Sequence, residues 1–87
     1  MTRREQKSCK GILDALHDMD GAQADDRIIH AEAQLVIGDN IPLAEFNAAL
    51  ALCDARRWIT GVKSKFAGTK YSINDRGEAA RLEMTKA

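Results

Sequence analysis

Aromatic residues make up only 5% of this 87-residue chain, as one Trp, one Tyr and two Phe. A core must therefore be built from aliphatic side chains and alanine, and each ring that is present becomes a landmark. Proline occurs once, at Pro42, so there is no proline-rich linker. The two cysteines, Cys9 and Cys53, stand 44 positions apart with no CxxC motif. That excludes a disulfide-dense scaffold and reads as two idle thiols in a reducing compartment. No apolar run approaches the ~20 residues that span a bilayer. The start, MTRREQKSCKG, lacks the apolar stretch of a secretory leader. The expectation is a cytoplasmic protein without membrane partners.

Catalytic chemistry is equally thin. His17 and His30 are the only histidines, and neither has metal-ligand spacing from the other or from a cysteine. Asp18-Met19-Asp20-Gly21 superficially resembles a calcium loop, but the acids at the further required positions are missing. Gly61 and Gly68 do not make a phosphate loop. No nucleophile, base and orienting group can be assembled, so the expectation is a protein that is not an enzyme and needs no metal or cofactor.

What is present is a globular composition, 45% hydrophobic and 30% charged. Residues 1–87 are expected to form one domain, burying about 60–65% of the unfolded chain's surface, so that pairing with a second copy would add stability. The net charge of zero hides a partition. Arg3, Arg4, Lys7 and Lys10 against Glu5 give residues 1–13 a charge of +3. Residues 14–54 carry nine acids against Arg27 alone, for −8. Residues 55–74 hold Arg56, Arg57, Lys63, Lys65 and Lys70 with no acid, for +5. Segregation of this kind makes a directed field without naming a partner.

Apolar spacing places the elements. Cys9, Ile12, Leu13 and Leu16 recur at steps of three and four, predicting a helix from about Arg4 to Met19 with that face inward. Asp20-Gly21-Ala22 breaks it. A second helix begins at Asp25 or Asp26, whose carboxylate can cap free N–H groups. Its inward stripe reads as Ile28, Ala31 and Leu35, with Ile29 and Val36 beside it, and Gly38 stops it before the turn Asp39-Asn40. Pro42 falls in the first turn of a third helix. There Leu43, Phe46, Leu50 and Cys53 step by 3, 4 and 3 toward the core, widened by Ala49 and Leu52. After Arg57 the period becomes two: Trp58, Ile59 and Val62, then Phe66, Tyr71 and Ile73, with Ala67-Gly68-Thr69 linking two strands of a hairpin. Asn74 caps a last helix, Asp75–Met84. The fold class is α+β, mainly α: a three-helix core, a two-stranded hairpin and a short last helix.

This order, with GDNIP between the second and third helices, resembles the winged helix-turn-helix family over nearly the whole chain. The most specific part is the frame FNAALALCDARRWITGV…GTKYSINDRG, where Leu50, Ile59, Val62, Gly68, Tyr71, Ile73 and Gly77 fall on the family's pattern. Arg57 departs from it, standing where such proteins often end the helix with glycine. The resemblance implies a helix-turn-helix over about 25–57, a wing over about 58–73 and a last helix over about 75–84. It also implies double-stranded DNA as partner, the third helix in the major groove and the wing along the backbone. Fold alone does not settle function, so the residues must support it.

They do so unevenly. On the free side of the third helix only Asn47 is a good base reader, with Glu45 able to accept from a cytosine amine; Ala44, Ala48, Ala51 and Ala55 admit DNA or another protein equally. The wing cations Arg56, Arg57, Lys63, Lys65 and Lys70 suit phosphates, Lys63 and Lys65 alternating outward and Lys70 across from them. Lysines on exposed strands also simply prevent edge-to-edge aggregation. The N-terminal cations read as a second phosphate contact or as a solvated helix end. Trp58 and Tyr71 read as core more readily than as partner anchors. Two functions follow: a homodimeric DNA-binding transcriptional regulator, paired through its first and last helices (Ile12, Leu16, Leu82, Met84), or an interaction module that docks a protein on its acidic helical face.

Overall fold

The computed structural model describes residues 1–66 and 68–86. Ala67, expected in the hairpin link, and Ala87 lie outside the described residues. The chain runs α1 (Arg3–Asp18), β1 (Ala24–Asp25), α2 (Asp26–Ile37), α3 (Leu43–Ala55), β2 (Ile59–Ser64), β3 (Gly68–Ile73) and α4 (Asp75–Lys86). The architecture is α+β, with helices packed around one core and an antiparallel sheet in the order β1-β3-β2.

The helices start and stop where side chains can satisfy their free ends. Thr2 opens α1 with a capping box: its hydroxyl accepts from the Glu5 N–H at 3.1 Å, and Glu5 accepts from the Thr2 N–H at 3.1 Å. Hydrogen bonding to the carboxylate from the Thr2 side chain, and then from the Thr2 backbone N–H, holds the Glu5 carboxyl below its usual range. Asp25 caps α2 by accepting from the Ile28 N–H at 3.0 Å, and Gly38, at φ 69°, ends it. The following turn is tied back to α2. Gln34 Oε1 accepts from the Ile41 N–H at 2.9 Å, and the His30 imidazole donates to the Ile41 carbonyl at 2.7 Å while stacking on Phe46.

Cys9, Ile12, Leu13 and Leu16 of α1 are all fully buried, against Ile29 and Ala33 of α2 and Phe46, Ala49, Leu50 and Cys53 of α3. The inward face of α2 differs from the expected stripe: Ile28, Ala31, Leu35 and Val36 face solvent, Leu35 at 74% exposure, while Ile29 and Ala33 are buried. The cause is a close helix crossing. A Cβ at Gly11 of α1 would stand 2.8 Å from the Ile37 side chain and 3.4 Å from the Ala33 carbonyl oxygen. Bringing the axes that near needs small residues on both sides, which turns the Ala33 face inward rather than the face with the larger side chains. Leu43, the first residue of α3, is likewise exposed, at 61%.

The sheet has three strands, not the two expected. Ala24 pairs with Tyr71 and Asp25 with Lys70, so the connection between α1 and α2 adds a third, two-residue strand to the hairpin. Two residues are too few for alternation to be visible in a sequence. Between β2 and β3, Ile59 pairs with Ile73, Gly61 with Tyr71, Val62 with Lys70 and Lys63 with Thr69.

Ile12 and Leu16 are fully buried within the single chain, so the dimer interface assigned to them is corrected; their helix face is already covered by α2 and α3. Phe46→Ala is expected to cost about 3–5 kcal/mol, whereas Leu43→Ala should stay within about 0.5 kcal/mol. Urea midpoints of the two variants check this, and equal midpoints would mean the α3 face is wrongly placed.

A candidate nucleic-acid interface on the β2–β3 hairpin

The hairpin leaves the body at a tight corner. Arg56 caps α3, and Arg57 follows with φ 60°, a left-handed conformation that glycine adopts more cheaply. The Arg57 N–H donates to the Asp54 carbonyl at 3.0 Å and the Trp58 N–H to the Cys53 carbonyl at 3.0 Å. This is the Schellman pattern, with Arg where glycine is usual. The Arg56 guanidinium lies over the Trp58 ring, 5.4 Å from its centroid.

Asn74 closes the corner from the other side. Its amide donates to the Arg57 carbonyl at 2.9 Å and to the Thr60 hydroxyl at 3.3 Å, while its Oδ1 accepts from the Gly77 N–H at 2.9 Å. One side chain thus caps α4 and ties it to the root of β2. Gly77 sits so close to the Trp58 carbonyl oxygen that a Cβ there would collide with it. At the same level Trp58, Tyr71 and Ile73 pack on the core as half-buried side chains. Tyr71 lies over Gly61, whose missing side chain makes room for the ring. Burial, then the charges of Asp54 and Asp26, push the Tyr71 hydroxyl above its ordinary value.

All five hairpin cations, Arg56, Arg57, Lys63, Lys65 and Lys70, are exposed, and no ion pair among the described residues engages them. The N-terminal cations differ. Arg4 pairs with Glu45 at 2.8 Å, Lys7 with Asp39 at 3.3 Å and Lys10 with Asp14 at 2.6 Å. They neutralise acids of the α2–α3 turn, of α3 and of α1 itself. Glu45 is thereby held by Arg4 and withdrawn from base reading. Asn47 is exposed on α3, with Ala44, Ala48 and Ala51 around it.

The register corrects the expected arrangement of the lysines. Residues directly opposed in an antiparallel pair share a face, and neighbours along a strand alternate. Lys70 therefore stands beside Val62 on one face, and Lys63 beside Thr69 on the other. Lys65 lies beyond the end of β2, in the turn. The cations surround the hairpin rather than lining one side of it.

Phe66 is not among the candidate residues that the sequence offers. It is 94% exposed in the hairpin turn, next to Lys65. A signal existed: counting by twos from the buried Ile59 leaves Phe66 out of phase with the core-facing set.

His17 donates to the Glu78 carboxylate at 2.9 Å, joining α1 to α4, so both histidines have structural partners. Among the described residues no group of three or more His, Cys, Asp or Glu is placed to hold a metal ion, and no helix is long and apolar enough to cross a membrane. No family model matches this chain, and no curated protein or solved structure matches it either.

Arg57→Gly should raise stability by about 1 kcal/mol by relieving the left-handed strain, read as a higher urea midpoint. As the single tyrosine, Tyr71 also reports directly. Its absorbance should titrate above about 10, the ordinary tyrosine value. Because the folded state holds that proton more tightly, the contribution is present below the unfolded value and lost as pH rises through the folded one. A midpoint at or below about 10 would contradict the burial assigned to the ring.

Proposed function

We propose that this chain is a small winged-helix DNA-binding protein, a transcriptional regulator that holds duplex DNA chiefly through the phosphate backbone. The observation that carries the reading is the set of five exposed hairpin cations that no ion pair among the described residues engages, on a chain whose N-terminal cations are mostly paired with acids. Phosphates are the counter-charges such a set suits, at low cost in desolvation. Further support comes from the element order and from the sheet order β1-β3-β2, which suit a winged-helix arrangement with α3 as the groove-facing helix. With Glu45 held by Arg4 and alanines around Asn47, α3 contributes little sequence reading, so binding is mainly electrostatic.

One observation favours a second reading. Ile28, Leu35, Val36 and Leu43 are exposed apolar side chains at α2 and the start of α3, within the acidic segment. A protein-docking module would use them, and a homodimer has them available in addition to the exposed Leu82 of α4.

The two readings part on DNA affinity. Three to five phosphate contacts give a slope of log K against log salt of about −3 to −4.5 per protomer. Replacing Lys63 and Lys65 by Ala should weaken binding on all sequences alike and flatten that slope by up to about 2. Fluorescence anisotropy of random duplex at two salt concentrations measures both. Absence of binding at ~50 mM salt, or indifference to the lysine changes, would sink the DNA reading.

A further inference from the structure

Three features of the hairpin tip belong together. Phe66 projects into solvent at 94% exposure, the most exposed large apolar side chain of the described residues. It stands in the turn beside Lys65, with Lys63 further down one sheet face and Lys70 on the opposite face. The remaining described neighbours near the turn, Ser64, Gly68 and Thr69, are small or polar, so among the described residues the ring has no second large apolar side chain at the apex.

A hairpin that lies flat along one phosphate strand needs its cations on a single face. Cations on both faces with an apolar apex suit a different pose, in which the hairpin enters tip-first between two lines of negative charge. The minor groove of duplex DNA presents that arrangement: two phosphate strands about 6 Å apart at the groove mouth, with stacked base pairs at its floor. Apolar wedges that reach the floor open a base step and kink the duplex. Building on the DNA-binding reading above, we propose that Phe66 is such a wedge, entering a base step from the minor groove while Lys63 and Lys70 contact phosphates on opposite strands and Lys65 steadies the apex.

An anionic membrane surface also pairs cations with a ring, but it fits less well. A membrane-bound tip lies in one plane, where cations projecting from opposite faces gain unequally, and one ring buries little apolar area. A base step asks for one flat ring.

The inference predicts a kink at flexible pyrimidine–purine steps, which open most easily. Phe66 contacts nothing that holds the fold, so Phe66→Ala should keep the wild-type urea midpoint. Two readouts are needed on one duplex carrying a central TA step: end-to-end energy transfer for bending, and 2-aminopurine beside the step for unstacking. The wild type should raise 2-aminopurine fluorescence and shorten the end-to-end distance. Phe66→Ala should lose both signals and bind about 5-fold or more weakly, with the salt slope unchanged because no phosphate contact is removed. Phe66→Leu, which retains an apolar wedge, should keep part of the bend. Wild-type binding with the same bend and the same fluorescence in Phe66→Ala would overturn the wedge and leave the DNA-binding reading standing. No binding of the wild type to duplex would overturn both. Phe66-dependent binding to phosphatidylserine vesicles, with an unbent duplex, would overturn the wedge and assign the tip to a membrane surface.

Discussion

The corner between α3 and the hairpin is the constraint on which the rest of the molecule depends. Arg57 in a left-handed conformation reverses the chain, the Trp58 N–H closes on Cys53, and Asn74 ties the Arg57 carbonyl to the first turn of α4. Four elements therefore share one junction: the end of α3, the start of β2, the end of β3 and the start of α4. Gly77 is the steric condition for it, since any side chain would strike the Trp58 carbonyl. The direction in which the hairpin leaves the body is set there, and so is where its cations stand.

Electrostatics divides the surface along similar lines. Lys10, Asp14, Arg81, Glu78 and His17 form a chain of contacts that binds α1 to α4. Arg4 and Lys7 clasp α1 to Glu45 and Asp39, so positive charge at the N-terminus serves internal cohesion. The exposed Arg4 and Lys7 pairs contribute little stability each, but they quench charge that would otherwise attract a polyanion. Among the described residues no ion pair engages the hairpin cations, although Asp25 stands opposite Lys70 in the sheet. That contrast, more than the total of basic residues, is what supports the hairpin as the proposed interface.

Much of this was legible in the chain itself. The α1 stripe and the Phe46, Leu50 and Cys53 face of α3 follow from apolar spacing, because long helices packed on a core repeat their contacts every three to four residues. The hairpin followed from the change of period after Arg57. The face of α2 did not, because the choice between Ile28 and Ile29 depends on the close approach of Gly11, a residue on another helix. The two-residue strand β1 exists only through its pairing with Tyr71 and Lys70. Among the candidate residues, Lys63 and Lys70 were found as cations but placed together, since their separation is a matter of strand register. Alternation puts Phe66 out of phase with Ile59 but does not tell a strand end from the turn in which it lies.

The sequence by itself determined the helices, the presence of a hairpin and the isolation of positive charge in residues 55–74, all properties of neighbours along the chain. Only the tertiary structure decided which cations are neutralised, which sheet face each lysine takes and that the one ring at the apex stays in solvent. Those depend on residues far apart in sequence: Arg4 meets Glu45 across 41 positions, and Asn74 reaches Arg57 across 17. Periodicity records the face a residue shares with its neighbours along the chain; the partner it meets is settled when separate elements close on one another.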